Sequence, residues 1–227
     1  MHKVCYWDHN WLAHKLNNAL LKKQLGNIRG VVYDLGCGTR PYEKEILAVA
    51  DRYIGIDWAN TLHGLHADIV ANLNQPLPIE SEVADTVISL QVMEHLCEPQ
   101  IMLGEAFRIL KAGGTVYITV PFQWWVHEAP YDFFRFTRYG LEYMLNKAGF
   151  VDVLVEESTG FWSMWSLKLN YQLDRINSPK VPKIIRWILL PLVLPIWVVN
   201  QIIAPLLDKI WPETRETAGY SVTARKP

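Results

Sequence analysis

VVYDLGCGTRPY, residues Val31 to Tyr42, is a short β-branched apolar run followed by an acid and then two glycines flanking a single residue. A run of this kind is a buried strand entering a tight turn, because Gly36 and Gly38 tolerate positive φ and leave no side chain between the backbone and a ligand. Bare amide groups at such a strand-to-helix turn suit a nucleotide-like ligand. The residues from Gly36 read GCGTRP, so Pro41 stands where a GxGxxG fingerprint has its third glycine, which argues against NAD or FAD. No Gly-Lys pair follows, so the phosphate loop of nucleotide triphosphatases is missing as well.

Moving outward, Arg52 to Asp57 (RYIGID) reads as a second short strand ending in an acid. It falls about 20 residues beyond the glycines, where doubly wound folds place a carboxylate that accepts both ribose hydroxyls. A third apolar stretch ends at Ala67 and Asp68. A fourth, Ala84 to Leu90 (ADTVISL), runs into Gln91-Val92-Met93-Glu94-His95-Leu96. Polar residues thus close four successive predicted strands, at the sheet edge where open α/β folds bind ligands.

The motifs DLGCGT, GIDW, HADI, SLQVMEHL, RILKAGG and TVYITVP together resemble class I S-adenosylmethionine-dependent methyltransferases, most closely the broad group that includes the quinone-biosynthesis enzymes. The resemblance covers residues 30 to 155 and resumes at 219 to 227. It implies an α/β, Rossmann-like, seven-stranded and mostly parallel sheet with helices on both faces, and S-adenosyl-L-methionine as cofactor. By position it implies that Asp34 and the Gly36-Cys37-Gly38 turn hold the methionine end. Asp57 would bind the ribose, Trp58 would cover the adenine, Asp68 would face the adenine amino group, and the backbone up to Gln91 would line the methionine amino group. The family often has a further glycine where Arg40 or Pro41 stands, a departure in the course of that loop.

Plainer roles stand beside these. A strand-ending acid such as Asp57 is often a helix N-cap, Asp68 is equally suited to an Asx-turn, and His95 is equally suited to starting the helix that follows. Composition sets wider limits. With 227 residues, half of them hydrophobic and a fifth charged, the chain can bury a substantial core. A net charge of −1 gives no basic footprint for nucleic acid. Cys5, Cys37 and Cys97 are too scattered for a disulfide framework, and no Cys/His cluster in the sequence suggests a metal. The N-terminal stretch lacks a long apolar segment, which leads to the expectation of a cytoplasmic protein.

Strand and helix alternate, which favours a parallel sheet. Helices are expected over 9–25, 42–50, 100–110 and 137–147, the first packing on or near the cofactor edge and the last closed by Gly149. Strands at 115–120, 151–156 and 219–225 complete the sheet. Between the fifth strand and the helix at 137 lies the aromatic, charged loop FQWWVHEAPYDFFRFTRYG (122–140). An aromatic wall with a few convergent polar groups is what a substrate site requires. Its segment His127 to Thr137 resembles a motif in methyltransferases associated with bacterial surface saccharides. Transfer to a hydroxyl needs a base, and a histidine suits proton removal near neutral pH. His127 is therefore the expected base, oriented by Asp132 or Glu128, with His95 the runner-up for that role; His95, Trp124, Tyr131 and Arg135 are expected to contact substrate. Structurally, Asp132 and Arg135 can also simply pair, with Thr137 an N-cap.

The expected domain organisation is a methyltransferase domain over 1–159 and 216–227, interrupted by a hydrophobic helical insertion over 160–215. Residues 184–207 form an apolar run long enough for a bilayer core of roughly 30 Å if helical. One crossing, however, would separate the last strand from its sheet, and Pro191, Pro195 and Pro205 are expected to break or kink a helix. A shallow hairpin or interfacial helix fits better, with preceding basic residues and Trp187, Trp197 and Trp211 meeting the inner membrane face. The alternatives are a homodimer contact or a lid. The acceptor is expected to be an oxygen of a saccharide or another membrane-proximal, lipid-linked small molecule. C-methylation of a quinone-like lipid and a non-catalytic cofactor-binding scaffold are the competing readings.

Overall fold

A computed structural model describes residues 5–59 and 66–227 of the chain. They divide into two compact units, one comprising Leu20–Glu156 and Gly219–Pro227, the other Glu157–Ala218 with the described residues up to Ala19.

The first unit is built on a seven-stranded sheet of order β3-β2-β1-β4-β5-β7-β6. Its strands are β1 (Val31–Leu35), β2 (Arg52–Asp57), β3 (Ile69–Val70), β4 (Ala84–Leu90), β5 (Leu110–Pro121), β6 (Val151–Glu157) and β7 (Gly219–Arg225). The pairs β1–β2, β1–β4, β2–β3 and β4–β5 are parallel and β5–β7 is antiparallel. Central strands of a parallel sheet are covered on both faces, so successive residues must be apolar on alternating sides. That is the pattern found here. Leu35, Val87 and Ile118 enter one buried cluster with Met102 and Leu103, while Val32, Ile88 and Tyr117 enter the other with Leu21 and Ile46.

The helices are α1 (Trp11–Gln24), α2 (Glu43–Ile46), α3 (Pro99–Ile109), α4 (Arg138–Ala148), α5 (Phe161–Asp174) and α6 (Lys183–Ile210). The Thr137 hydroxyl caps α4 by accepting from the Gly140 amide, and Gly149 ends it at φ 102°.

Three expectations need correction. Asp68 does not close a strand: β3 is only Ile69–Val70, and Asp68 precedes it because its amide and its carboxylate are both bound to Gly55 of β2. The residues leading up to it include 60–65, which lie outside the described residues. The segment RILKAGG, expected to separate a helix over 100–110 from a strand at 115–120, passes directly from α3 into β5 at Leu110. The three prolines do not break the apolar run, which forms one 28-residue helix. Each removes one N–H donor, leaving the carbonyls of Trp187, Pro191 and Gln201 without their usual partner, while the rest of the ladder continues.

In the second unit α5 packs against α6. Gln201 is 1% exposed, and its side chain donates to the Tyr6 carbonyl at 2.8 Å and accepts from the Leu12 amide at 3.2 Å. The Trp197 indole donates to the Asp8 carbonyl at 3.4 Å. The first half of α1 thus groups with the apolar helices.

Candidate active site

The turn after β1 departs from expectation in an instructive way. Its amides are not bare: those of Gly36 and Cys37 donate to the Ile56 carbonyl at 2.8 and 3.0 Å, and that of Gly38 donates to Asp57 Oδ2 at 2.8 Å. The glycines are required for other reasons. Gly36 has φ 85°, and a Cβ there would fall 2.4 Å from the Val92 side chain; at Gly38, φ 51°, a Cβ would meet nothing within 4 Å. One glycine admits close packing and the other leaves the crevice floor open.

Three acids converge on this crevice. Asp34 is 4% exposed and accepts from the Tyr53 hydroxyl through Oδ2, while Oδ1 is buried with no partner among the described residues. Burial pushes its carboxyl up to about 7, with the Tyr53 hydrogen bond acting in the opposite sense. Asp57 also accepts from the Trp58 amide at 2.8 Å, and no helix starts there among the described residues. Asp68 accepts from Gly55 at 2.8 Å and from Arg40 at 3.1 Å. Burial raises its pKa, but the hydrogen bonds from Gly55 and Arg40 together outweigh that and hold it below the usual carboxylate range. Arg40, at φ 57° where the family often has a glycine, further binds the His66 carbonyl and Glu43, and so ties the loop down. Gln91, also at positive φ, ends β4 with its amide on the Thr119 carbonyl at 2.9 Å.

Across the crevice lies the aromatic loop. The amides of Phe133 and Phe134 donate to the Glu94 carbonyl at 2.8 and 3.3 Å, which pins the loop to the 3₁₀ turn Met93–His95. Tyr131 packs edge-on against Trp58 at 5.1 Å, so the expected adenine cover touches the expected substrate loop. Trp124 stacks on Trp125. Asp132 and Arg135 form a two-pronged ion pair at 2.6 and 2.7 Å, and Arg135 also donates to the carbonyls of Trp124, Trp125 and Phe134. Hydrogen bonding from Arg135 holds the Asp132 carboxyl down to about 2. This pair clamps the loop from inside, the plainer of the two roles open to it.

His127 Nδ1 lies 3.3 Å from Asp132 Oδ2 and 3.4 Å from the Trp125 carbonyl, and the His127 amide donates to Asp132 Oδ2 at 2.8 Å. Burial lowers its pKa, so the ring is neutral near pH 7. His95 packs edge-on against His127 at 4.9 Å. The residue that sequence reasoning missed is Glu94. Its side chain is fully buried, neither carboxyl oxygen has a hydrogen-bond partner among the described residues, and burial pushes its pKa up to about 8. The Glu-His pair directly after β4 was the available signal.

Comparison with known proteins places this geometry. Residues 33–118 match the family model described as Methyltransferase domain. A relative from Mycolicibacterium smegmatis, described as a probable S-adenosylmethionine-dependent methyltransferase, is 33% identical over 97 residues, which are 40% of this chain and 37% of that one. Among solved structures, a SAM-dependent methyltransferase from Archaeoglobus fulgidus superposes with a TM-score of 0.59 at 17% identity, covering 93% of this chain and 94% of the other.

The fold is that of the S-adenosylmethionine-dependent methyltransferases.

Phosphoethanolamine N-methyltransferase 2 from Haemonchus contortus, solved with S-adenosyl-L-methionine, agrees at a TM-score of 0.60 and 18% identity over 98% of this chain and 56% of its own. The chain thus spans little more than half of that enzyme and just over a third of the M. smegmatis relative. The comparisons show the fold, and S-adenosyl-L-methionine is the group bound in the Haemonchus contortus structure that shares it. The crevice fits that group: Asp34 offers a buried, unpartnered acceptor, Gly38 opens the floor, and Asp57 retains lone pairs at the end of β2.

Proposed function

We propose that this chain is an S-adenosylmethionine-dependent methyltransferase acting on a hydroxyl oxygen of a saccharide or another membrane-proximal, lipid-linked small molecule. The observation that carries the proposal is the contact of Tyr131 with Trp58, which brings a loop holding His127 against the cofactor crevice. When bound, the cofactor supplies the methyl group as an electrophilic sulfonium. Asp57 would hold the ribose and Asp34 the methionine end, with Trp58 over the adenine and Asp68 at its amino group. The aromatic walls from Trp124 and Tyr131 exclude water from the acceptor, and the His127 side, oriented by Asp132, activates its hydroxyl. The same loop matches the saccharide-associated motif, which supports that acceptor class.

The apolar helix supports a membrane-proximal acceptor. Trp187, Ile188, Leu192, Ile196, Ile202 and Leu206 of α6 are each about half exposed or more, and Lys183 and Arg186 stand at its start. A helix long and apolar enough to cross a membrane, with basic residues at one end, also suits the cytoplasmic headgroup region. Attachment there raises the effective concentration of a membrane-borne acceptor.

Calorimetric titration with S-adenosylhomocysteine tests the cofactor half. Wild-type protein should bind, and Asp57→Ala should bind about tenfold or more weakly; no heat with folded wild type overturns the reading. Labelled methyl should then appear on lipid-linked saccharide. Label confined to a quinone extract would replace the oxygen acceptor with a carbon one.

A further inference from the structure

His95, His127 and Glu94 come from two segments more than thirty residues apart, yet their potential ligand atoms all lie within 4.8 Å of one another. The two rings are prepared in the same way. His95 Nδ1 lies 2.7 Å from the Tyr131 carbonyl, which can only accept, so that nitrogen carries the proton. His127 Nδ1 faces Asp132 Oδ2 at 3.3 Å and the Trp125 carbonyl at 3.4 Å, both acceptors. With Nδ1 so engaged, Nε2 is the atom each ring offers to a ligand. His95 Nε2 points at two carboxylates, Glu94 Oε1 at 3.7 Å and Glu128 Oε2 at 3.9 Å. A cation placed among these atoms would meet nitrogen and oxygen donors together. The Glu94 side chain is fully buried with no hydrogen-bond partner among the described residues, an arrangement that costs free energy and that a bound cation would relieve.

We propose that Glu94, His95 and His127 form a binding site for one divalent transition-metal ion, placed beside the cofactor crevice. Two imidazoles and one carboxylate are the donor set of catalytic zinc and non-haem iron centres, which leave a position open. A hard oxygen-seeking ion such as Mg²⁺ fits two nitrogen donors less well. The supporting shell is present already: metal-bound histidines donate their second ring N–H to a carbonyl or carboxylate, and here both Nδ1 atoms face a backbone carbonyl. Ligand atoms around such an ion lie about 3–3.5 Å apart, so the site closes by small side-chain rotations. The inference deepens the proposed reaction, since an acceptor hydroxyl is the oxygen ligand suited to the open position. His127 would then position that hydroxyl through the ion, which lowers its pKa so that its proton passes to solvent as the O–C bond forms and the S–C bond breaks.

The test uses the full chain after chelator treatment, titrated with Co²⁺ as a spectroscopic probe and then with Zn²⁺ in competition. One equivalent of Co²⁺ should give visible absorption that Zn²⁺ abolishes. Glu94→Gln, which keeps shape and volume, and His127→Ala, on the loop, should each weaken binding at least tenfold. No stoichiometric binding, or binding unchanged in both variants, overturns the site. S-adenosylhomocysteine binding is measured on the same samples. Its retention in protein that takes no Co²⁺ removes the metal alone, whereas its absence from folded protein removes the cofactor reading.

Discussion

Asp34 shows how one buried acid carries information about both stability and ligand. Its carboxyl titrates near 7 in the folded chain and near 3.8 in an unfolded one. Between these values the unfolded chain releases a proton that the folded chain retains, so this group lowers stability as pH rises from 4 to 7. Asp34→Asn keeps the acceptor for Tyr53 and removes the charge. The variant should therefore be more stable than wild type at pH 8, by up to about 4 kcal/mol, with the gap closing near pH 4. Denaturant melts of ligand-free protein at the two pH values check this, and parallel curves would contradict it. At this scale the sequence was informative where a residue's partner is near in the chain or fixed by strand pairing. Asp57 falls at the end of β2 as the spacing required. The convergence of His95 with His127 was not readable, because it depends on the pinning of Phe133 and Phe134 to the Glu94 carbonyl, a contact with no local sequence signature.

Helix α4 is an element whose two ends were legible, since capping is local chemistry. Thr137→Ala should cost about 1 kcal/mol through the lost hydrogen bond to Gly140. Gly149→Ala should cost about 1–2 kcal/mol, because it adds left-handed strain and a Cβ 3.0 Å from the Phe107 ring. Chemical denaturation of both variants checks the order, and a Gly149→Ala protein as stable as wild type would refute the strain argument. Helix α6 was legible in composition and illegible in continuity. The prolines argue for interruption one residue at a time, whereas Trp197, Gln201 and Ala204 recur at helical spacing and are buried together on one side. Packing of that stripe overrides the local cost.

For the whole molecule, the decisive question is what the exposed apolar residues of α6 meet. Replacing Trp187, Ile188, Leu192 and Ile196 with serine alters exposed positions only. Wild-type protein should float with vesicles rich in anionic lipid and the variant should remain in the lower fractions. Equal partitioning of the two would dismiss the membrane reading in favour of a self-association or lid role. Six of the seven strands were legible because a parallel sheet writes its buried runs plainly, whereas the third was not, since β3 is only Ile69–Val70 and follows Asp68. The position of β7 between β5 and β6 has a consequence for how the chain is made. A ribosome delivers both greasy helices while a strand-wide gap still stands between two finished neighbours. The nascent protein thus presents oily surface and open backbone edges together, and its yield in living cells depends on what shelters them until Gly219–Arg225 emerges and slides home.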